Sequence, residues 1–155
     1  MKNIVISPFS RKLRSSEENA ENAKNYPYWD QVVKILREQG NKVVQIGVEG
    51  EREIGAEFLY YSLTLDSLRI LLEAADVWIS VDNFINHFGT FIGKKGIVIF
   101  GQSDPKIFGY EQNINLLKDR KYLRELQFAE WEGVEYNKDA FVDPGVVVDA
   151  VNDNF

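Results

Sequence analysis

Short apolar runs alternate with longer amphipathic ones along this chain. Residues 3–7, 42–47, 77–81 and 96–100 are rich in Ile and Val. Runs of that length and composition suit strands buried on both faces. Between them, 28–39 predicts a helix, because Trp29, Val32, Val33, Ile35 and Leu36 fall mostly on one face. Gly40 and Asn41 stop it. A second helix is predicted over 65–75, capped by Thr64, with Leu68, Leu71 and Leu72 inward. A short helix over 83–92 begins where the strand 77–81 ends. Asp143 is expected to cap a last helix that has Pro144 at its first position and runs through Val147 and Val151.

Weaker signals predict a short helix over 51–58, a third strand over 60–63, a turn-rich loop over 101–105 and a sixth strand over 113–117. Segment 8–25 is polar and long for a structureless connection, which marks it as functional or mobile. Alternation of strand and helix over the whole length predicts an α/β fold: a three-layer, Rossmann-like domain with a mostly parallel sheet and helices on both faces. Such sheets take ligands in a crevice outside the carboxyl ends of their strands, so the loops after the strands are the place to look.

A length of 155 residues suits one domain spanning 1–155. The absence of cysteine excludes disulfides, thiolate catalysis and cysteine-based zinc sites. No secretory signal and no apolar stretch of membrane-spanning length is read, so a cytoplasmic location is expected. The net charge of −6 argues against long nucleic-acid partners but allows one small anion, held by backbone N–H groups and local cations.

Four segments can carry chemistry. The first is Asp82-Asn83-Phe84-Ile85-Asn86-His87, at the end of a buried strand. Asp82 can cap the helix, whose first N–H groups meet a phosphate, with His87 one turn on. The plain alternative is an N-cap and a histidine on a helix face. The second is Phe100-Gly101-Gln102-Ser103-Asp104-Pro105, where Ser103 and Asp104 bond either a ligand or their own loop. The third is the basic set Arg11, Lys12, Arg14 and Lys24, which pairs with a diphosphate or forms a solvated cluster balanced by Glu17, Glu18 and Glu21. The fourth is Gly47-Val48-Glu49-Gly50-Glu51, placed after a strand where an acid accepts from a ribose, or a simple exposed turn. Neither a dinucleotide fingerprint nor a Walker loop is present. With one histidine, neither a histidine-rich metal site nor a Ser-His-Asp assembly is supported, and no metal or cofactor is expected.

In order, Val77-Trp78-Ile79-Ser80-Val81-Asp82, His87, Gly93-Lys94 and Ile97 through Pro105 resemble the C-terminal half of glycosyltransferase family nine, the lipopolysaccharide heptosyltransferases. That family has a strand ending in Asp-Thr-Gly, a His shortly after, a Gly-Lys-Pro turn and a strand ending in Phe-Gly-x-Thr-x-Pro. Ser7-Pro8, Lys24 with Pro27, and Gly47 with Glu51 match in order as well. The resemblance covers most of the chain and implies the GT-B architecture, whose C-terminal domain binds a nucleotide-sugar donor. It implies that Lys24 touches the diphosphate or sugar and Glu51 the ribose. It implies that the N–H groups of Asn83 and Phe84 cradle phosphate beside His87. Asp82 then approaches the sugar, and Leu65 lines the base pocket.

Two departures shape the expectation. Asp82-Asn83-Phe84 stands where the family has Asp-Thr-Gly, so a bulky ring replaces the residue that lets phosphate come close. The family's N-terminal half, with its acceptor site and catalytic carboxylate, has no counterpart here. Three readings follow. One is a glycosyltransferase completed by a second copy or a separate acceptor-domain protein, with a nucleotide or nucleotide-sugar as ligand. Another is a module that binds or sequesters the nucleotide without turnover. The last is a structural or interaction protein that kept the fold and lost the site.

Overall fold

The computed structural model describes residues 1–11, 21–128 and 134–155. Six strands form one sheet: β1 (Asn3–Ser7), β2 (Lys42–Gly47), β3 (Phe58–Tyr61), β4 (Val77–Val81), β5 (Gly96–Phe100) and β6 (Ile114–Leu117). Their order is β3-β2-β1-β4-β5-β6 and every pairing is parallel. The direction of winding reverses between β1 and β4, which opens a crevice at their carboxyl ends.

Alternation along the strands divides the core in two. Ile4, Ile6, Val77, Ile79, Ile97 and Ile99 face α1 (Trp29–Glu38) and α5 (Pro144–Asn154). Val5, Val44, Trp78, Val98 and Phe100 face the other way, toward α2 (Leu65–Ala74) and α3 (Phe84–Phe91). The α1 helix buries Trp29, Val32, Val33 and Leu36, the spacing of one helical face. Gly40, at φ 84°, ends that element in the left-handed conformation that favours glycine. The architecture is thus the expected α/β, Rossmann-like one.

Local departures have physical causes. Residues 51–57 form no helix, because they bond to Gln45 of β2 instead of to themselves. The Gln45 side chain donates to the carbonyl of Arg52 (2.8 Å) and accepts from Ile54 N–H (3.0 Å), and Ile54 is fully buried. The third strand begins two residues earlier than expected. It pairs Val44 with Phe58 and Gly47 with Tyr61, and it stops before Ser62, whose φ is 52°. Thr64 caps α2 as expected, accepting from Ser67 N–H. Asp143 stands before Pro144 but makes no side-chain cap bond. The loop after β5 leads into a short helix, α4 (Pro105–Phe108), capped by Asp104. Lys12, Arg14, Glu17 and Glu18 lie outside the described residues.

No helix among the described residues is long and apolar enough to cross a membrane.

Candidate functional site

At the carboxyl ends of β1, β2 and β4 lies a cavity of about 560 Å³. Its floor includes Ser7, Gly47 and Asp82, and its rim includes Leu65 and Phe84. A larger opening of about 760 Å³ sits by Met1, between α1 and residues 54–57. It lies where the strands begin and shares no residue with the first. The crevice at the switch point is the better candidate, because loops and helix starts converge there.

Lys24 enters the cavity from the loop before α1. Its Nζ lies 3.2 Å from Asp82 Oδ2, with both side chains largely shielded from solvent. A buried carboxylate is costly without a counterion, and Lys24 supplies it. Glu51 folds back over the end of β2, where its carboxylate occupies the space a Cβ on Gly47 would take, so a side chain at Gly47 would displace the Glu51 carboxylate. Leu65 is the first residue of α2 and Phe84 the first of α3, and each is more than half exposed. The Phe84 ring stacks on Phe88 at 5.4 Å and 19°, on the helix exterior. His87 shares a 2.7 Å hydrogen bond through Nδ1 with the Tyr110 hydroxyl.

The cap of α3 is Asn83 and not Asp82. Asn83 Oδ1 accepts from Ile85 N–H at 3.0 Å, and its amide nitrogen reaches Ser7 Oγ (3.0 Å) and the Phe9 carbonyl (3.1 Å). One side chain thereby ties the start of α3 to the end of β1. This leaves Asp82 to Lys24.

Lys24, Glu51, Leu65, Asp82, Asn83, Phe84 and His87 therefore line one cavity, as does Arg11 of the basic set. Ser103 and Asp104 do not line it. Asp104 receives two bonds from Arg120, at 3.0 and 2.7 Å, and Ser103 accepts from Arg124 at 3.0 Å. The loop after β5 is thus closed onto the segment that follows β6. Burial lowers the Arg124 guanidinium from its ordinary value, and the charge of Asp82 acts the other way. Sequence reasoning missed Tyr110, the partner of His87, and Ser62, a cavity residue with left-handed backbone. Their contacts are set by the meeting of distant loops, and no local pattern carried a signal for them.

The hydrogen bond from Arg120 holds the Asp104 carboxyl below its ordinary value, assisted by Lys106 N–H and opposed by burial. A carboxyl more acidic in the folded state stabilises the fold fully above its unfolded value. That contribution is lost as pH falls through the ordinary carboxylate range toward the folded value. Asp104→Asn should therefore flatten the pH dependence of the denaturation midpoint below about pH 4, as read in urea titrations at a series of pH values.

Among the described residues, no three His, Cys, Asp or Glu side chains gather as a metal site. No family model and no curated protein sequence matches the chain. Solved structures do. The ADP-heptose lipopolysaccharide heptosyltransferase II of E. coli aligns with a TM-score of 0.69 and 18% identity, over 98% of this chain and 46% of that one. A family 9 glycosyl transferase from Veillonella parvula aligns with a TM-score of 0.66 and 18% identity, over 98% and 45%. The E. coli heptosyltransferase WaaC, solved with ADP, aligns with a TM-score of 0.64 and 15% identity, over 99% and 44%. The chain spans less than half the length of each. It has the Rossmann-like fold found in one portion of the heptosyltransferases of glycosyltransferase family nine.

Proposed function

We propose that this chain binds a nucleotide or nucleotide-sugar in the cavity between β1 and β4, as the donor-binding part of a glycosyltransferase-like protein. The observation that carries the reading is the buried Lys24–Asp82 pair at the topological switch point, with Glu51 on one side and the apolar rim of Leu65 and Phe84 on the other. WaaC, of similar fold, was solved with ADP. In this reading Lys24 turns from Asp82 to the diphosphate. A phosphate accepts charge-assisted bonds from the ammonium. Glu51 accepts from the ribose hydroxyls, and Leu65 covers the base. The first N–H groups of α3, at Asn83 and Phe84, face the phosphate with His87 beside them. Asp82, released from Lys24, accepts from sugar hydroxyls. Ser103 and Asp104 are committed elsewhere and take no part.

Sugar transfer also needs a base on the acceptor. It is proposed only for an assembly in which a second copy or an acceptor-domain protein faces the cavity. Binding is the function proposed for the chain itself. A thermal-shift screen against nucleoside diphosphates and nucleotide-sugars tests it. A ligand at a hundredfold excess over its dissociation constant adds about 2.7 kcal/mol, which for a chain of this size raises the midpoint by roughly 5–10 °C. No shift with any of them would leave the chain a structural or interaction protein.

A further inference from the structure

Two cationic residues among the described ones line the cavity, Arg11 and Lys24, and they stand at opposite ends of the long loop between β1 and α1. Neither belongs to a strand or helix. Long basic side chains on loops carry large conformational entropy, so two of them meet one anion efficiently only where their backbones are fixed.

One buried side chain fixes both. Asn22 is 2% exposed and does not line the cavity. Its Oδ1 accepts from the backbone N–H of Lys24 at 2.9 Å, while its amide nitrogen donates to the backbone carbonyl of Arg11 at 2.8 Å. The Asn22 carbonyl also accepts from Asn25 N–H at 2.9 Å. Asn25 in turn accepts from Ser10 N–H through its side chain (2.8 Å) and from the Tyr136 hydroxyl through its carbonyl (3.1 Å). The inner tie joins the two basic residues, and the outer tie joins the loop to the C-terminal segment.

We infer that Asn22 is a positioning residue for anion recognition, setting the spacing of Arg11 and Lys24 so that both engage one diphosphate. The inference rests on the nucleotide reading of the cavity. A primary amide is the suitable group because it offers a donor and an acceptor on one rigid plane. Preorganised groups of this kind raise affinity by lowering the ordering cost of binding.

The test is calorimetric titration with inorganic pyrophosphate, at low and moderate salt, on the parent, Asn22→Ala, Asn22→Asp and Tyr136→Phe. Asn22→Asp keeps the acceptor for Lys24 N–H and sets an oxygen against the Arg11 carbonyl. Asn22→Ala introduces no buried charge and serves where Asn22→Asp folds poorly. Tyr136→Phe loosens the outer tie alone. The expected result is pyrophosphate binding about tenfold weaker in both Asn22 variants, with a shallower salt dependence because fewer cations engage. Tyr136→Phe should lower the melting temperature yet bind within about twofold of the parent, since the groups contacting the anion are untouched. Parent-like binding by the Asn22 variants would overturn the role of Asn22 alone, as would an equal loss in Tyr136→Phe. A parent that binds neither pyrophosphate nor any nucleoside diphosphate would overturn the nucleotide reading and this inference with it.

Discussion

Trp78→Ala should lower the unfolding free energy by about 3–5 kcal/mol, the cost of removing a large aromatic side chain from a closed core. Trp78 is fully buried in β4 and is paired in register with Gly96 of β5. Its indole lies where a Cβ on Gly96 or on Gly89 would stand. Its Nε1 donates to the Lys94 carbonyl at 2.8 Å. One residue thus seats α3, β4, β5 and the turn between α3 and β5. The converse substitution, Gly96→Ala, should cost about 1–3 kcal/mol through overpacking. The two effects should not add, because the ring removed by the first is what the second collides with. Equilibrium urea unfolding of both single variants and the double variant checks this. A double variant as unstable as the sum would show that the Gly96 site is constrained by something other than the indole.

Lys24→Ala should weaken binding of a nucleoside diphosphate by about 10–100-fold, the value of a charge-assisted hydrogen bond to phosphate. It also removes the counterion of Asp82, whose side chain is only 6% exposed. An anion left in that position opposes a second anion arriving beside it. Asp82→Asn in the Lys24→Ala background should therefore recover part of the affinity, although neither residue then carries charge. Titration of the two single variants and the double variant separates the contributions. A double variant that binds no better than Lys24→Ala would mean that Asp82 does not oppose the phosphate. Unchanged binding in Lys24→Ala would place the anion elsewhere.

Much of the architecture was legible in the chain itself. Ile and Val runs of five or six residues announce strands buried on both faces, since only such strands can be apolar throughout. The apolar face of 28–39 and the Thr64 cap announced α1 and α2 for equally local reasons. The segment 51–57 was not legible. Its backbone is satisfied by Gln45 of a neighbouring strand, a bond no periodicity reveals. The offset of β3 has a similar origin, because its register is fixed by pairing with β2 and its end by the backbone of Ser62.

The same division runs through the candidate site. The loops that follow β1, β2 and β4 could be named from the order of strands alone, because parallel connection places all their carboxyl ends on one side of the sheet. The assignment of partners within and beside those loops could not. Whether Asp82 or Asn83 caps α3 depends on Ser7 and Phe9, which both accept from the Asn83 amide nitrogen and so hold its oxygen toward Ile85 N–H. Whether Asp104 meets a ligand depends on Arg120, brought to it by the segment after β6. The linear order of residues determines backbone hydrogen bonding and side-chain periodicity, which act over a few positions, and so it determined the strands, most helices and the side of the sheet that carries the cavity. Charge pairing and hydrogen bonding between loops act through space and depend on which loops the fold brings together. Only the tertiary structure decided that Lys24 neutralises Asp82, and that Asn22 ties together the backbones of both cationic residues.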